Sequence, residues 1–291
     1  MKIVGFTIIR NALKYDYPVV EAIESILPLC DEVIVSVGQS EDGTLDLIES
    51  IQSAKIRIVQ SQWDENLRKS GQVLAEETNK AMDQIPADAD WCLYIQADEV
   101  IHEKYYPVIR QTMATYEHDA TVEGLLFKYL HFYASYDYVG DSRKWYSHEI
   151  RIVRRDPQIR SYLDAQGFRK SGHKLQVKLV DAYIYHYGWV KPPSIQLQKI
   201  NDFHKLWSDQ DSELIDSRKI KDAAFDYAGI DSLQKFTGTH PLVMQERIRR
   251  KNWHIDLDLR RKKFSIKGRV LYWIEQKTGI RLFEYRNYKI V

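Results

Sequence analysis

Residues 91–99 read Trp-Cys-Leu-Tyr-Ile-Gln-Ala-Asp-Glu, an apolar run that stops at a pair of adjacent acids. Five consecutive apolar residues bounded by polar ones fit a strand covered on both faces, as in a parallel sheet with helices on either side. Upstream, Leu74, Thr78, Ala81, Met82 and Ile85 recur at helical spacing within a helix spanning Gly71 to Gln84, and Pro86 prevents its continuation into the strand. Before that come an alternating strand through Ile56, Ile58 and Ser61, a helix from Thr44 to about Ile51 and an apolar strand from Glu32 to Val37. An amphipathic helix from Val19 to Leu29 and the strand Ile3 to Ile9 precede them. The order βαβαβαβ predicts an α/β fold, a Rossmann-like and mostly parallel sheet flanked by helices and joined by right-handed crossovers. Ligands bind such sheets outside the carboxyl ends of the strands.

All four of those ends are polar: Arg10 and Asn11, then Gly38 to Asp42, then Gln62 to Asn66, then Gln96 to Glu99. Past residue 100 the pattern loosens into a helix at Tyr106 to Tyr116 and strand-like runs at Gly124 to Tyr133, His148 to Val153 and Leu175 to Val180, which imply a mixed sheet. Ile195, Leu197, Ile200, Phe203 and Leu206 then mark a helix from Ser194 to Trp207. The expected division is a main domain over 1–208, in two halves meeting near residue 100, and a basic, helical extension over 209–291.

With 291 residues, 44% of them hydrophobic, the chain has material for one large core, and 42 Lys and Arg against 41 Asp and Glu give no chain-wide field that would draw nucleic acid. The charge is uneven. From Glu246 to Val291 there are fourteen Lys and Arg but five Asp and Glu, so the tail is basic and the body acidic. Cys30 and Cys92 sit in separate apolar runs and read as buried thiols in a reducing compartment, not as a disulfide or metal cluster. The opening Met-Lys-Ile-Val-Gly-Phe-Thr-Ile-Ile lacks a cleavage site, and no run is long enough to span a bilayer, so the expectation is a cytoplasmic protein.

Several residues at the strand ends have side chains suited to chemistry. Asp98 could help hold a hard divalent ion beside a nucleotide diphosphate, or could simply cap the segment that follows. In Gly38-Gln-Ser-Glu-Asp42-Gly43-Thr44, Asp42 could accept from a ribose hydroxyl or base N–H, or belong to an ordinary Asp-Gly turn. The aromatic strand Tyr183-Ile-Tyr-His186-Tyr-Gly-Trp ends near a His that is either a ligand or a satisfied core imidazole.

Taken together, the strand into Arg10-Asn11, the strand ending in Asp42-Gly43-Thr44, and Gln96-Ala-Asp98-Glu99 some fifty-five residues later resemble the family 2 glycosyltransferases, closely over residues 1–100 and loosely beyond. Ala75-Glu-Glu-Thr-Asn79-Lys-Ala also looks like the family segment ahead of the metal motif. The resemblance implies a GT-A fold and an inverting transfer of a sugar from a nucleotide-sugar donor to a hydroxyl of a glycan or lipid-linked acceptor, with a divalent metal, Mn²⁺ or Mg²⁺. It implies a nucleotide-sugar-binding half over 1–100, an acceptor half over 101–208, Asp42 against the nucleoside, Asp98 on the metal, and His186 completing the metal shell or touching the diphosphate. Gln96 departs from the first acid of the family's Asp-x-Asp element and resembles a bacterial variant; its amide could coordinate or hydrogen-bond the donor, with weaker metal binding as the consequence.

An inverting transferase needs a base within reach of the acceptor hydroxyl. Glu149, in Trp145-Tyr-Ser-His148-Glu149-Ile-Arg151, is the favoured one; an ion pair with Arg151 is the alternative role, and Asp137 and Asp141 are the alternative bases. The polar stretch Asp164 to Lys174, carrying His173, reads as a lid over the diphosphate or as plain surface loop, and Lys69 is a further phosphate candidate, beside Arg10 and Asn11. In the tail, Arg247, Arg249, Arg250, Lys251 and Arg260 to Lys263 alternate with Trp253, Phe264, Tyr272, Trp273, Phe283 and Tyr285. This pattern fits either peripheral contact with the inner face of the cytoplasmic membrane or a solvated helical hairpin. Two rivals remain. A sugar nucleotidyltransferase would carry a Gly-rich loop after the first strand, where this chain has Arg10-Asn-Ala-Leu-Lys14; a catalytically silent nucleotide-sugar or glycan-binding module is suggested by Gln96.

Overall fold

The computed structural model describes residues 1–64, 66–67, 71–204, 220–221, 224–260 and 262–291. The first half runs β1 (Ile3–Ile9), α1 (Val19–Ile26), β2 (Glu32–Gly38), α2 (Thr44–Glu49), β3 (Ile56–Ser61), α3 (Gln72–Asp83) and β4 (Trp91–Tyr94). There follow β5 (Glu99–Ile101), α4 (Tyr106–Thr115), β6 (Gly124–Tyr133), β7 (Ser135–Gly140), β8 (His148–Arg154), β9 (Ile159–Tyr162), β10 (Gly167–Lys170), β11 (His173–Lys174), β12 (Gln176–Trp189) and α5 (Pro193–His204). The remainder holds β13 (Ile220–Lys221), β14 (Ala224–Phe225), β15 (Leu233–Lys235), α6 (Gln245–Arg249), α7 (Ile266–Thr278) and β16 (Lys289–Ile290).

The chain forms an α/β structure. β3, β2, β1 and β4 pair in parallel; β8, β6, β7 and β15 extend the same sheet with antiparallel pairs, and β12 lies parallel to β6 on its other side. Every residue of β1 is buried, and its side chains alternate between two cores. Ile3 and Ile9 join Val19, Ala22, Ile23 and Ile26 of α1 on one face; Val4, Phe6 and Ile8 join Ala81 and Met82 of α3 on the other. Helices on both faces explain why strands 3–9 and 91–95 carry no polar alternation.

α1 stops at Ile26 and not at Leu29, because Pro28 cannot continue the helical hydrogen bonding. The aromatic strand before Pro192 and the run from Leu175 are one strand of fourteen residues, β12, with a register shift between Leu179 and Tyr183. Residues 167–174 are not a plain loop: β9, β10 and β11 form a small antiparallel sheet. The C-terminal segment is less helical than expected. It carries α6 and α7, is tied to the body by an Arg247–Asp16 ion pair, and ends as strand β16 beside β12. The expected boundary between 208 and 209, and the helical positions Leu206 and Trp207, lie outside the described residues.

Cys30 and Cys92 are buried free thiols, and burial pushes both up to about 12. Among the described residues no helix is long and apolar enough to cross a membrane.

Candidate functional site

The carboxyl ends of β1 and β4, the end of β12 and one face of α5 enclose a cleft of about 860 Å³. Its lining brings together Arg10, Asn11, Gln96, Asp98 and His186, and adds Lys14, Tyr17, Asp164, Gln196 and Lys199.

The loops after β1 and β2 are knitted to each other by side-chain oxygens. Asn11 takes the left-handed conformation, φ +55°, that Asn tolerates, and its Oδ1 accepts from the Glu41 N–H at 2.8 Å. Ala12 N–H donates to Thr44 Oγ1 at 2.7 Å. Asp42 accepts from Lys14 N–H at 2.7 Å and Thr44 N–H at 3.1 Å, so its carboxylate is committed to holding the two loops and does not line the cleft. Arg10 reaches across them, donating from Nε to the Gln39 carbonyl at 3.0 Å with its guanidinium 5.9 Å from the Trp63 ring.

Asp98 and His186 are brought together by β5, a strand that sequence periodicity did not reveal. It pairs antiparallel with β12, placing Glu99 opposite His186, while the Tyr187 N–H donates to the Asp98 carbonyl at 2.7 Å. His186 Nε2 stands 3.7 Å from Asp98 Oδ1, too far for a hydrogen bond. The proton positions follow from the partners. His131 Nε2 lies 2.8 Å from the Tyr146 carbonyl, which can only accept, so Nε2 carries the His131 proton. Burial holds His131 well below the usual imidazole range, and its Nδ1 is therefore a bare lone pair. His186 Nδ1, 3.0 Å away, must donate to it. Burial also lowers the titration of His186, so its Nε2 presents a lone pair toward Asp98.

Burial works against charge on Asp98, but nearby cationic groups, Lys199 among them, hold its carboxyl below the ordinary range. Lys199 Nζ sits 3.5 Å from Asp98 Oδ2 and 4.7 Å from the Tyr17 ring centre. Gly188 preserves the space beside the pair: a Cβ there would lie 2.7 Å from both Asp98 Oδ2 and His186 Nε2. A carboxylate and an imidazole lone pair around a space that a methyl group would fill suit a divalent cation. Among the described residues no third His, Cys, Asp or Glu completes the cluster, so further oxygens would have to come from ligand and water.

Of the two adjacent acids only Asp98 faces the cleft. Glu99 is fully buried and pairs with Arg151 through two 2.7 Å hydrogen bonds, while Tyr129 donates its hydroxyl to Glu99 Oε1 at 2.7 Å. Arg151 therefore does not pair with Glu149. Gln96 donates from Nε2 to the Ala165 carbonyl at 3.3 Å, and Arg151 donates to the Gln166 carbonyl at 3.0 Å. These two bonds fix the loop that carries Asp164, whose carboxyl is pushed upward by burial.

Glu149, the base expected from sequence, lies outside this cleft in the wall of a second one, and its Oε2 is enclosed with no hydrogen-bond partner among the described residues. The other two candidate bases are committed elsewhere: Asp137 accepts from Ser135 Oγ at 2.9 Å, and Asp141 accepts from Lys262 at 2.7 Å and Tyr272 at 2.8 Å. His173 is exposed on β11 and lines neither cleft; Lys69 lies outside the described residues. The residues that sequence reasoning missed as site candidates are Lys14, Tyr17, Asp164, Gln196 and Lys199. Gln196 and Lys199 are three apart on α5, so helical spacing placed them on one face, but nothing local said that this face lines the cleft.

No family sequence model matches the chain, and no curated protein matches it. Among solved structures, a 1–349 fragment of S. aureus TarS in complex with UDP overlaps at a TM-score of 0.41 and 15% identity, covering 73% of this chain and 67% of that one. Glucosyl-3-phosphoglycerate synthase from Mycobacterium tuberculosis with Mn²⁺, UDP and phosphoglyceric acid overlaps at 0.30 and 17% identity, covering 45% and 43%. A 4-diphosphocytidyl-2C-methyl-D-erythritol synthase from Anaerococcus prevotii overlaps at 0.38 and 13% identity, covering 65% and 89%. Against a longer S. aureus TarS chain the match spans 39% of that protein. These are partial overlaps in outline, and the chemistry of this chain has to be read from its own cleft.

Proposed function

We propose that the chain transfers a glycosyl group, with inversion, from a nucleoside-diphosphate sugar to a hydroxyl of a glycan or lipid-linked acceptor, in the manner of a GT-A glycosyltransferase. The observation that carries this reading is the space beside Gly188 at the carboxyl ends of the strands, where Asp98 and the His186 lone pair face each other with Lys199 alongside. Asp98 and His186 would hold a divalent ion, Mn²⁺ or Mg²⁺. When bound, it neutralises charge on the donor diphosphate. Gln96 in place of a second acid leaves the site one negative charge short, so metal affinity depends strongly on the diphosphate being present.

The residues of this chain do the rest. Arg10, Lys14 and Lys199 supply positive charge along the cleft, and the Asn11 and Asp42 network keeps the first two loops in register. The acceptor oxygen attacks the anomeric carbon from the face opposite the leaving group, the bond from that carbon to the diphosphate oxygen breaks, and the electron pair leaves with the nucleoside diphosphate. The acceptor proton passes to Asp164, which lines the same cleft as Asp98 and whose carboxyl is made a better proton acceptor by burial, which pushes it above the ordinary range. Contact with the inner face of the cytoplasmic membrane belongs to the same reading. On α7 Ile266, Val270 and Trp273 are 85%, 53% and 62% exposed, with Arg269 and Lys277 on the same helix.

A thermal-shift screen of UDP, GDP, dTDP and CMP, each with and without Mn²⁺, on the full chain and on Asp98→Ala, tests the proposal. A metal-dependent stabilisation by one nucleotide that disappears in the variant is the expected result. No shift with any nucleotide sinks the reading. A shift indifferent to both metal and mutation favours the second reading, suggested by Gln96: a nucleotide-sugar-binding module without turnover.

A further inference from the structure

A second cleft, about 640 Å³, borders the first and shares Tyr146, Asp164 and Gln166 with it. One wall comes from the start of β8 and the turn around Tyr162, the other from residues 281–288 of the C-terminal segment.

Three buried polar atoms in its lining lack hydrogen-bond partners among the described residues: Trp145 Nε1, which is turned toward Gly140, Glu149 Oε2 and Asn287 Oδ1. Glu149 is 6% exposed and its Oε2 has no hydrogen bond; Asn287 Oδ1 is likewise unmatched. Both side chains converge on Gly167, where a Cβ would press on the Asn287 amide and sit 3.6 Å from Glu149 Oε2. Buried polar atoms are ordinarily satisfied, so these two orphans beside one cleft leave hydrogen-bonding capacity open to a bound molecule or to water.

The rim is aromatic. Tyr162, Phe283 and Tyr285 are 41%, 88% and 75% exposed. Phe283 also sits in the left-handed backbone region, φ +59°, which is uncommon for a bulky residue and concentrates at ligand-contacting positions. The arginines are already engaged: Arg143 and Arg281 pair with Glu275, and Arg281 also with Glu284, while the exposed Lys144 and Lys267 share the lining with the carboxyl groups of Glu149, Asp164 and Glu284.

We infer that this second cleft binds a neutral sugar ring of the acceptor, with its face against Phe283 or Tyr285 and its hydroxyls completing the hydrogen bonds of Glu149 and Asn287. Calling the sugar an acceptor rests on the glycosyl-transfer reading; the sugar site itself does not. Burial pushes Glu149 up to about 8, so near pH 7 it carries a proton and offers an O–H donor to a sugar oxygen.

The test is saturation-transfer NMR on the full chain with millimolar methyl glycosides of glucose, galactose and N-acetylglucosamine, recorded with and without UDP. The same spectra are taken on a Phe283→Ala/Tyr285→Ala double variant, whose side chains are exposed and whose fold is checked by circular dichroism, and on Glu149→Ala. The expected result is saturation of at least one glycoside that persists with UDP present and falls about fivefold in the double variant. Three results overturn the inference: no glycoside is saturated, the double variant saturates like the parent, or UDP displaces the glycoside and so places it in the first cleft. A nucleotide shift that survives any of these leaves the donor reading standing. Glycoside saturation without any nucleotide shift removes the donor reading and leaves a sugar-binding site.

Discussion

Asp98 and His186 present two lone pairs to each other across 3.7 Å, an arrangement whose repulsion a bound cation would relieve. On the proposed reading Gly188 would keep the room for it. Gly188→Ala is therefore expected to lower metal-dependent nucleotide affinity by about tenfold or more, a cost on the order of 1.4 kcal/mol, in a titration of nucleotide with and without Mn²⁺. Equal losses in both arms would count against a cation at this spot. Asp164→Asn, which keeps shape but removes the proton acceptor, should lower kcat by roughly 10²- to 10⁴-fold while KM changes little. A variant with full turnover would move the base elsewhere.

Glu149 makes a stability prediction that does not depend on activity. Its ordinary value of 4.5 is raised to about 8 in the folded chain, mainly by burial. Between those values the folded state holds a proton that the unfolded state has lost. Stability therefore falls as pH rises from 4.5 to 8, by about 1.4 kcal/mol per pH unit, and levels off above. Glu149→Gln removes this dependence. Melting temperatures of parent and variant should diverge in the variant's favour as pH increases from 5 to 9, and parallel curves would show that Glu149 is not held protonated.

At the scale of elements, the sheet is joined across its two halves by a buried ion pair. Glu99 leads β5 and Arg151 lies in β8, and the Arg151 guanidinium also stands 5.4 Å from the ring centres of Tyr94 and Tyr129. Removing one partner leaves the other charge buried and unmatched. Arg151→Met should cost about 3–5 kcal/mol in denaturant unfolding, whereas Glu99→Leu/Arg151→Met together should cost less than either change alone. Equal or additive losses would contradict the pairing.

Strands β1, β2, β4 and β6 were legible from sequence because each is mostly apolar, β2 being interrupted only by Ser36 after Glu32 and β6 only by Lys128 and His131, a signal that survives whatever the neighbours are. β5, β10 and β11 were not. Glu99-Val-Ile is three residues long, and 167–174 mixes Gly with Arg, Lys and His. Such short strands exist only because a partner strand is adjacent, and a local window carries no record of the partner. The site shows the same division. Arg10, Asn11, Gln96 and Asp98 line the cleft because strand ends in a parallel sheet meet there, and that rule can be applied to a sequence. Asp42 stands at a strand end too, yet its carboxylate is consumed by Lys14 and Thr44, a fact of two loops meeting.

Across the whole molecule, the basic tail divides between ties to the body and an exposed face. Arg247 pairs with Asp16, Lys262 with Asp141, and Arg281 with Glu275 and Glu284. Ile266, Val270 and Trp273 project into solvent from one side of α7, while Lys267 and Leu271 of the same helix line the second cleft. If this face meets anionic lipid, the full chain should co-sediment with phosphatidylglycerol vesicles and not with phosphatidylcholine ones. Ile266→Ser/Trp273→Ser should lose most of that binding with its melting temperature unchanged, since none of these side chains is buried. Binding that survives the double change would place the lipid contact elsewhere or remove it.

By itself the sequence determined the alternating core, the parallel first half and the polar strand ends, because hydrophobic period and run length are local properties of the chain. The tertiary structure alone decided that Gln96 anchors the Asp164 loop, that His131 orients His186, that Glu149 faces a second cleft, and that the last residues of the tail wall it. Those outcomes depend on contacts between segments far apart in sequence. They also depend on which hydrogen-bond partner each buried polar group finds, and this becomes fixed only when the sheet brings those segments together.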